Sequence, residues 1–163
     1  MALLTEDELL HFLESHDIAF QRVAHPPVYT CEQAELYRPP MPGVSTKNLF
    51  LTDKKRSRYF LVTTHCEKKL DLRALGEKLK AHKLHFGSEG CLRELLGLTP
   101  GAVTILGLIN DVERRVEFWV DAEIWSAEAY LCHPLVNTAT LVISRQDLLR
   151  FLEISGHAVN VFA

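Results

Sequence analysis

The chain has 163 residues, 47% hydrophobic and 24% charged, which is typical of one soluble globular domain. A chain of this length can bury a core without metals or disulfides, and no run reaches the 18 or so apolar residues of a membrane span. The net charge of -3 argues by itself against a nucleic-acid partner. Residues 1–8 hold acids and no basic residue, so we expect no secretory signal and a cytoplasmic location.

The charges are distributed unevenly along the chain. Residues 47–83 hold 11 Lys and Arg against four Asp and Glu, so the acidic excess lies elsewhere. A segment of this kind can present one basic face to phosphates while the whole protein stays acidic. The alternative interpretation is a solvated face with a lysine-rich helix.

The N-terminal half begins with a helix signal. Thr5 and Glu8 have the spacing of a capping box, and leucines follow at helical spacing. Further on, two apolar runs flank a charged turn, which is the pattern of a hairpin with a polar tip. The predicted helices are 5–16 and 30–37, and the predicted strands are 19–24, 48–52 and 59–64.

The C-terminal half mixes helices and strands without strict alternation. The predicted helices are 71–79, 88–96 and 144–154, and the predicted strands are 84–86, 116–120, 138–143 and 158–162. Between them, residues 101–108 form an apolar segment punctuated by glycine. The class is therefore α+β, a single domain over 1–163 with a mixed sheet or barrel-like core and peripheral helices.

The four cysteines predict neither a metal site nor a disulfide framework. They form no Cys-x-x-Cys pair, and we expect reduced and mostly buried thiols. The neighbours His65–Cys66 and Cys132–His133 are poor chelates, because adjacent residues of a strand point to opposite faces. We expect no metal and no cofactor.

Familiar catalytic motifs are absent from the sequence. It contains no serine elbow, phosphate-binding loop, zinc-binding His-Glu-x-x-His or dinucleotide fingerprint. One unusual feature is Lys47, at the start of an apolar strand, because lysine is rarely buried without a partner. Lys47 can bind an anion or polarise a carbonyl, or it can be an edge lysine that discourages strand pairing.

Two further segments offer polar groups. Glycines in residues 97–107 allow backbone amides to approach a ligand and hold an oxyanion, although the segment can equally be a tight core connection. His133 precedes a proline at a loop that leads into a strand. It is either a polar pocket residue or a structural loop histidine.

Taken together and in this order, these segments resemble the family of YbaK and the prolyl-tRNA synthetase-associated editing domain. The chain is most similar to the free-standing alanyl-tRNA(Pro) deacylases of that family, the branch often named ProX or PrdX. The similarity extends over nearly the whole chain, and only the combination of its pieces is specific. Those pieces are Lys47–Leu51, Leu70–Leu72, Gly101–Thr104 with Leu106–Gly107, Val120–Ala122 and His133–Thr140.

The resemblance implies a barrel-like β domain with outer helices, and it implies roles for three residues. The family's essential lysine falls on Lys47, its pocket glycine on Gly101, and the histidine of its alanine-specific branch on His133. One departure is that Thr104-Ile105 replaces the Ser-Pro pair of YbaK-like proteins. Pocket details from that branch are therefore not transferred.

The expected activity is hydrolysis of the ester in mischarged alanyl-tRNA(Pro). The partners are the acceptor end of tRNA(Pro) and, further, prolyl-tRNA synthetase. The alternatives are a deacylase of the same fold for cysteinyl- or seryl-tRNA, a non-catalytic tRNA or synthetase-binding module, and a regulator tied to amino-acid reduction. We expect substrate contacts from Thr46, Asn48, Leu49, Val103, Val136 and Asn137, and tRNA contacts from Lys54, Lys55, Arg56, Lys68, Lys69 and Lys80.

Overall fold

The computed structural model describes residues 3–40 and 42–163; positions 1, 2 and 41 of the predicted domain lie outside these ranges. The helices are α1 (Glu6–Ser15), α2 (Cys31–Leu36), α3 (Leu72–Leu79), α4 (Glu89–Leu96), α5 (Ala122–Trp125) and α6 (Arg145–Ser155). The strands are β1 (Gln21–Ala24), β2 (Val44–Thr52), β3 (Tyr59–His65), β4 (His85–Phe86), β5 (Val116–Asp121), β6 (Ala129–Cys132), β7 (Ala139–Ser144) and β8 (Val159–Phe162). Two 3₁₀ helices, Pro100–Ala102 and Ile105–Asn110, lie between α4 and β5.

The strands form one mixed sheet in the order β1-β7-β6-β2-β3-β5-β8, with β4 added at one end of β2. The pairs β1–β7, β6–β7 and β2–β3 are antiparallel, whereas β2–β6, β3–β5 and β5–β8 are parallel. The expected α+β class with a mixed sheet and several helices is therefore confirmed.

Strand β2 connects the two halves of the sheet. Along one side it pairs with β3 from Thr46 to Thr52. On its other side β6 pairs with Val44 and Ser45, and β4 pairs with Leu51 and Thr52. Between those two pairings the 3₁₀ segment approaches the strand, and this gap in the ladder is where the candidate site forms.

Two apolar clusters cover the two faces of the sheet. The larger packs α1, α4, the second 3₁₀ helix and α6 against one face, with Leu9 and Leu13 of α1 fully buried one turn apart. The smaller packs α3 through Leu75 and Leu79 against the opposite face of β2 and β3. The central strands are thus buried on both sides, which explains why β3 is apolar without alternation.

Local signals set most element ends where the sequence predicts them. Thr5 and Glu8 form the complete capping box of α1. The C-terminal caps of α4 and α6 are Gly97 and Gly156, both with positive φ of 66° and 82°. Glycine suits these two positions because the left-handed backbone costs it nothing.

Three elements differ from the sequence prediction. Strand β2 begins at Val44, four residues earlier than predicted, because its first residues pair with β6. Both α5 and β6 are absent from the prediction. Helix α5 has one turn, capped by Asp121, and β6 has four residues, so neither is long enough to establish a clear period.

The prediction of four reduced cysteines is wrong. A disulfide joins Cys31, the first residue of α2, to Cys66, which directly follows β3. The fold brings their Cα atoms to 5.8 Å, within the range that a disulfide spans, although they lie 35 residues apart in sequence. Cys91 and Cys132 are free thiols, and Cys132 is buried.

Across residues 3–40 and 42–163, no helix has both the length and the apolar character needed to cross a membrane.

Candidate active site

A cavity of about 270 Å³ opens beside the first half of β2. Its walls come from four parts of the fold: the segment that contains α2, strand β2, the first 3₁₀ helix, and the chain from β6 to β7. This volume is at the small end for ligand sites, which suits an aminoacyl group better than a large cofactor. The lining residues include Val28, Tyr29, Ala34, Arg38, Thr46, Lys47, Asn48, Gly101, Val103, Cys132, His133 and Thr140.

Lys47 lies on a central strand of the sheet, beside the gap in the ladder on one side of β2. Its backbone pairs with Thr64 of β3, and its side chain is part of the cavity wall. The ammonium group donates a hydrogen bond to the main-chain carbonyl of Lys68. An ammonium group has three N–H donors, so this bond fixes the side chain and leaves two donors for a ligand.

The electrostatics of Lys47 favour an anionic ligand. Burial lowers its pKa from the ordinary value, and the positive charge of Lys69 lowers it further. Among the described residues, the ion pairs do not include Lys47. A half-buried ammonium without a carboxylate partner is costly, and an anion in the cavity would relieve that cost.

The carbonyl that holds Lys47 is itself anchored by an ion pair. The Lys68 ammonium lies 2.7 Å from Asp121 Oδ2 and 3.2 Å from Glu123 Oε1. Thr64 also donates its hydroxyl to Asp121 Oδ2 at 2.8 Å, and the carboxylate is almost completely buried. Burial would raise the pKa of Asp121, but hydrogen bonds from Lys68, the Glu123 amide and Thr64 hold it below its ordinary value.

Asn48 connects the sheet to the 3₁₀ segment. Its amide nitrogen donates to the carbonyl of Val103 at 3.3 Å, and its amide oxygen accepts from the hydroxyl of Thr63 at 2.5 Å. Thr46 donates to the carbonyl of Leu131 at 2.8 Å and so ties β2 to β6. Both side chains line the cavity, and their hydrogen bonds keep its walls together.

Gly101 lies in the first 3₁₀ helix, close to the aromatic ring of Tyr29. A Cβ at this position would meet Tyr29 Cδ1 at 3.2 Å and Asn137 Nδ2 at 3.4 Å. A larger residue would therefore push into the cavity mouth. Glycine keeps the backbone accessible there, at the start of a helix where amide groups commonly lack an internal partner.

His133 has a defined tautomer. Its Nδ1 lies 3.1 Å from the carbonyl oxygen of Ala139, and since a carbonyl only accepts, Nδ1 carries the proton. The Nε2 atom of the neutral ring is then an acceptor. Burial lowers the pKa of His133, the Ala139 carbonyl partly opposes this shift, and the positive form of nearby His25 adds to it.

His25 lies next to His133. It is not among the site residues that the sequence predicts. The two ring centroids are 6.3 Å apart, and His25 Nε2 lies 2.8 Å from the hydroxyl of Thr140, which lines the cavity. His25 Nδ1 is 2.9 Å from the Pro26 carbonyl, so Nε2 accepts the Thr140 hydrogen when the ring is neutral.

The cavity gathers most of the residues that the sequence singles out, but not all of them. Lys47, Gly101 and His133 line it together, as do Thr46, Asn48 and Val103. Leu49 instead packs against the smaller apolar cluster beneath α3. Val136 and Asn137 also lie outside the wall, and the Asn137 amide donates to the Val28 carbonyl at 2.9 Å.

The segment that contains α2 supplies a wall that sequence reasoning missed. Tyr29, Cys31, Ala34 and Arg38 all contribute to it. Tyr29 is 71% exposed, which is unusual for so large a ring beside a cavity. No sequence signal identifies these residues, because their position depends on how a short helix folds back over β2.

The predicted tRNA-binding residues fall into two groups. Lys54, Lys55 and Arg56 lie on the β2–β3 turn, about 23 Å along the strand from Lys47 at the usual rise per residue. Lys80 lies nearby, since Arg58 donates to its carbonyl and Lys54 donates its amide to the His82 carbonyl. Lys69 lies close enough to Lys47 to affect its pKa.

Lys68, one of the predicted tRNA contacts, lies in an ion pair. Its ammonium is paired with Asp121 and Glu123, and the hydrogen bond that it donates to Asp121 raises its pKa. A cation held in this way is already largely neutralised, and its ion pair anchors the loop after β3.

Comparison with known proteins gives the class of the protein. Residues 25–151 match the family described as the aminoacyl-tRNA editing domain. These residues include every wall of the cavity and span more than half of the chain. The chain therefore belongs to the aminoacyl-tRNA editing domain family, and it is an enzyme that deacylates mischarged tRNA.

Relatives of similar length support this placement. The chain is 41% identical to "Prolyl-tRNA synthetase associated domain-containing protein 1" of Danio rerio over 152 residues, 92% of this chain and 82% of the relative. It is 35% identical to "Prolyl-tRNA editing protein ProX" of Acetoanaerobium sticklandii over 145 residues, 89% of this chain and 88% of the relative.

A solved structure supports the fold. It is that of a protein described as a candidate trans-editing enzyme for prolyl tRNA synthetase. It superposes with a TM-score of 0.72 at 17% identity, covering 99% of this chain and 98% of the other. The resemblance to the editing-domain family expected from the sequence is thus confirmed.

Proposed function

We propose that this enzyme hydrolyses alanyl-tRNA(Pro) in trans, releasing alanine and free tRNA, and that residues 1–163 belong to one editing domain. The observation that carries the proposal is a small cavity whose wall holds Lys47, Gly101 and His133 together. The 35% identity to a prolyl-tRNA editing protein supports the choice of tRNA. We expect the enzyme to act in the cytoplasm, on errors made by prolyl-tRNA synthetase.

The physical need for such an enzyme lies in the limits of binding. A synthetase site shaped for proline cannot strongly reject alanine, because the smaller side chain fits and gives up only a little binding energy. A second site too small for proline removes the error. Here the wall is lined by apolar groups of Val28, Ala34, Val103 and Cys132, which suit a methyl group.

The reaction starts from an ester that is already reactive, so no protein nucleophile is needed. Water attacks the carbonyl carbon, with the neighbouring ribose hydroxyl assisting, and negative charge develops on the carbonyl oxygen. The two remaining donors of Lys47 stabilise that oxyanion or hold the terminal phosphate, and the amide of Gly101 adds a further donor. Collapse of the intermediate breaks the bond to the ribose oxygen.

His133 positions the amino acid in this scheme. With Nδ1 donating to the Ala139 carbonyl, Nε2 can accept a hydrogen bond from the α-ammonium group of the substrate. The exposed ring of Tyr29 at the mouth offers a stacking surface for the terminal adenine. Lys54, Lys55, Arg56, Lys69 and Lys80 attract the acceptor stem through its phosphates.

The competing functions are a non-catalytic tRNA-binding module and a regulator tied to amino-acid reduction. The experiment is a deacylation assay with alanyl-tRNA(Pro) in large excess over the protein, followed as released labelled alanine. An enzyme releases many alanines per protein molecule. A module that only binds tRNA slows spontaneous hydrolysis or leaves it unchanged, and that outcome would overturn the proposal.

A further inference from the structure

Helix α2 forms one wall of the cavity but is weakly attached to the rest of the protein. None of its six residues is buried, and Leu36 is 77% exposed. A helix of this length has little stability by itself in water. The interactions that hold α2 in place must therefore be those at its two ends and its polar contacts.

The chain is anchored on both sides of α2. Before the helix, Val28 is buried and exchanges hydrogen bonds with Asn137 at 3.2 Å and 2.9 Å. After it, Arg38 donates to Ser45 Oγ at 2.7 Å and to the carbonyl of Gly43. These hydrogen bonds lie at exposed or half-buried positions, where water competes for each partner.

The Cys31–Cys66 disulfide adds a covalent link. Cys31 begins α2, whereas Cys66 follows β3, a strand held between β2 and β5. The Cys66 amide also donates to the Ser45 carbonyl at 3.0 Å, so Cys66 belongs to the rigid side. The disulfide thus fastens a loosely held wall to the sheet beside Lys47.

Both cysteines of the disulfide border an outer groove. Cys31 and Cys66 are half-buried, and both line the cavity on one side and an outer groove with Glu32, Glu35 and His65 on the other. A thiolate can attack a disulfide only where it can approach a sulfur, and the outer groove provides that approach. The acidic residues at the rim of this groove favour a reductant whose other groups are uncharged over one that carries carboxylates.

We propose that Cys31–Cys66 is a thiol–disulfide exchange site whose redox state sets how firmly α2 closes the cavity. The reductant is a small neutral dithiol. Its thiolate attacks one cysteine sulfur, which gives a mixed disulfide and releases the other cysteine as a thiolate. Its second thiolate then attacks the reductant sulfur of the mixed disulfide and displaces the first cysteine. Two electrons pass to the protein, which gains two thiols, and the dithiol leaves as its own disulfide.

The closed state is the oxidised one. Reduction leaves α2 held only by its non-covalent contacts, so it opens more often. The amides of residues 29–38 then exchange faster, while those of β3 do not change. On the proposed function, an open wall also discriminates less by size, so the selectivity for alanyl- over prolyl-tRNA falls.

The experiment is hydrogen exchange read by mass spectrometry on the full chain without tRNA, before and after treatment with dithiothreitol. We expect exchange in residues 29–38 to accelerate by about tenfold on reduction, the size of a modest local opening. Cys31→Ser and Cys66→Ser should exchange fast with or without the reductant. Cys91→Ser, which removes a free thiol elsewhere, should respond as the wild type does.

Three results would overturn the proposal: equal exchange in both redox states, a reductant response that persists in Cys31→Ser, or recovery of Cys31 and Cys66 as free thiols from air-oxidised protein. A second measurement compares alanyl- and prolyl-tRNA hydrolysis in both states. Faster exchange without any deacylation would sink the proposed function and leave the exchange site standing. Deacylation of alanyl-tRNA with unchanged hydrogen exchange would overturn the exchange site and leave the proposed function standing.

Discussion

Lys47 donates its ammonium hydrogen to the main-chain carbonyl of Lys68, so the central cation of the cavity is positioned by the loop after β3. That loop is held in turn by the ion pair of the Lys68 side chain with buried Asp121. The interactions form a chain from β5 through the loop to β2. A substitution at Asp121 should therefore change the position of Lys47, although Asp121 itself does not contact the substrate.

Replacing Lys47 by alanine should lower kcat/KM for alanyl-tRNA(Pro) by about 100-fold or more, the usual cost of removing an oxyanion donor. The main-chain partners of β2 are unaffected, so the melting temperature should change little. Lys55→Ala, on the exposed turn of the same hairpin, is the matched control and should keep kcat. A Lys47→Ala enzyme with wild-type kcat/KM would remove Lys47 from the chemistry.

Asp121→Asn should lower kcat by roughly 10- to 100-fold, because a displacement of about 1 Å in a positioned group can cost this much. Lys68→Met cuts the same ion pair from its other end and should give the same decrease. Glu123→Gln removes the exposed partner, whose side chain is 67% exposed, and should cost little.

The pKa of Lys47 shows whether Asp121→Asn acts by misplacing the Lys47 side chain or by destabilising the whole fold. Burial lowers the pKa of Lys47 in the wild type, so loosening the loop should expose the ammonium and move that pKa upward. The titration can be followed by NMR from the Lys47 Cε signal. If Asp121→Asn is less stable but its Lys47 titrates as in the wild type, the positioning role is wrong.

The activity should depend on His133 being neutral. Burial lowers its pKa below the ordinary 6.5, so the neutral ring dominates at neutral pH and activity is lost as the pH falls through that lowered value. The profile of kcat/KM should therefore be level near pH 7 and fall on the acid side. His133→Asn should lose this acid limb together with about 10- to 100-fold in rate. An identical acid limb in the variant would assign it to another group.

The basic turn should act on tRNA binding and not on chemistry. Changing Lys54, Lys55 and Arg56 to alanine should raise KM at unchanged kcat, since these residues lie far along β2 from the cavity. The slope of log KM against log salt should fall by about 0.9 for each phosphate that the protein no longer neutralises. Arg93→Ala on α4 is the control for a general reduction in positive charge. A lower kcat with unchanged KM in the triple variant would contradict the assignment.

The elements that the sequence predicts well are those with long periods or clear caps. Thr5, Ser88 and Ser144 each cap the helix predicted after them, and the β2–β3 hairpin forms around its charged turn. The position of Lys47, Gly101 and His133 in one cavity wall is also predictable, because the resemblance rests on short motifs that lie around them. Local sequence therefore carries enough information to predict both the capped elements and the place of these three residues.

The interactions between distant segments are not predictable in this way. Cys31 and Cys66 are separated by 35 residues, and only the fold of α2 over β2 brings them together. The bond from Lys47 to the Lys68 carbonyl depends on the path of a loop. Leu49 lies outside the cavity wall for a related reason. It shares a strand face with Leu51, and α3 covers that face.

The most direct test of the account is a side-by-side assay of alanyl-, prolyl- and cysteinyl-tRNA(Pro) with the same purified enzyme. If the part of the cavity wall that holds His133 and Val103 is the size filter, it should admit alanine and exclude the proline ring. We predict that alanyl-tRNA(Pro) is hydrolysed about 100-fold faster than prolyl-tRNA(Pro), near the upper range for discrimination by pocket size. We also expect it to be favoured over cysteinyl-tRNA(Pro). Equal rates on alanyl- and prolyl-tRNA(Pro), or faster hydrolysis of the cysteinyl ester, would contradict the account.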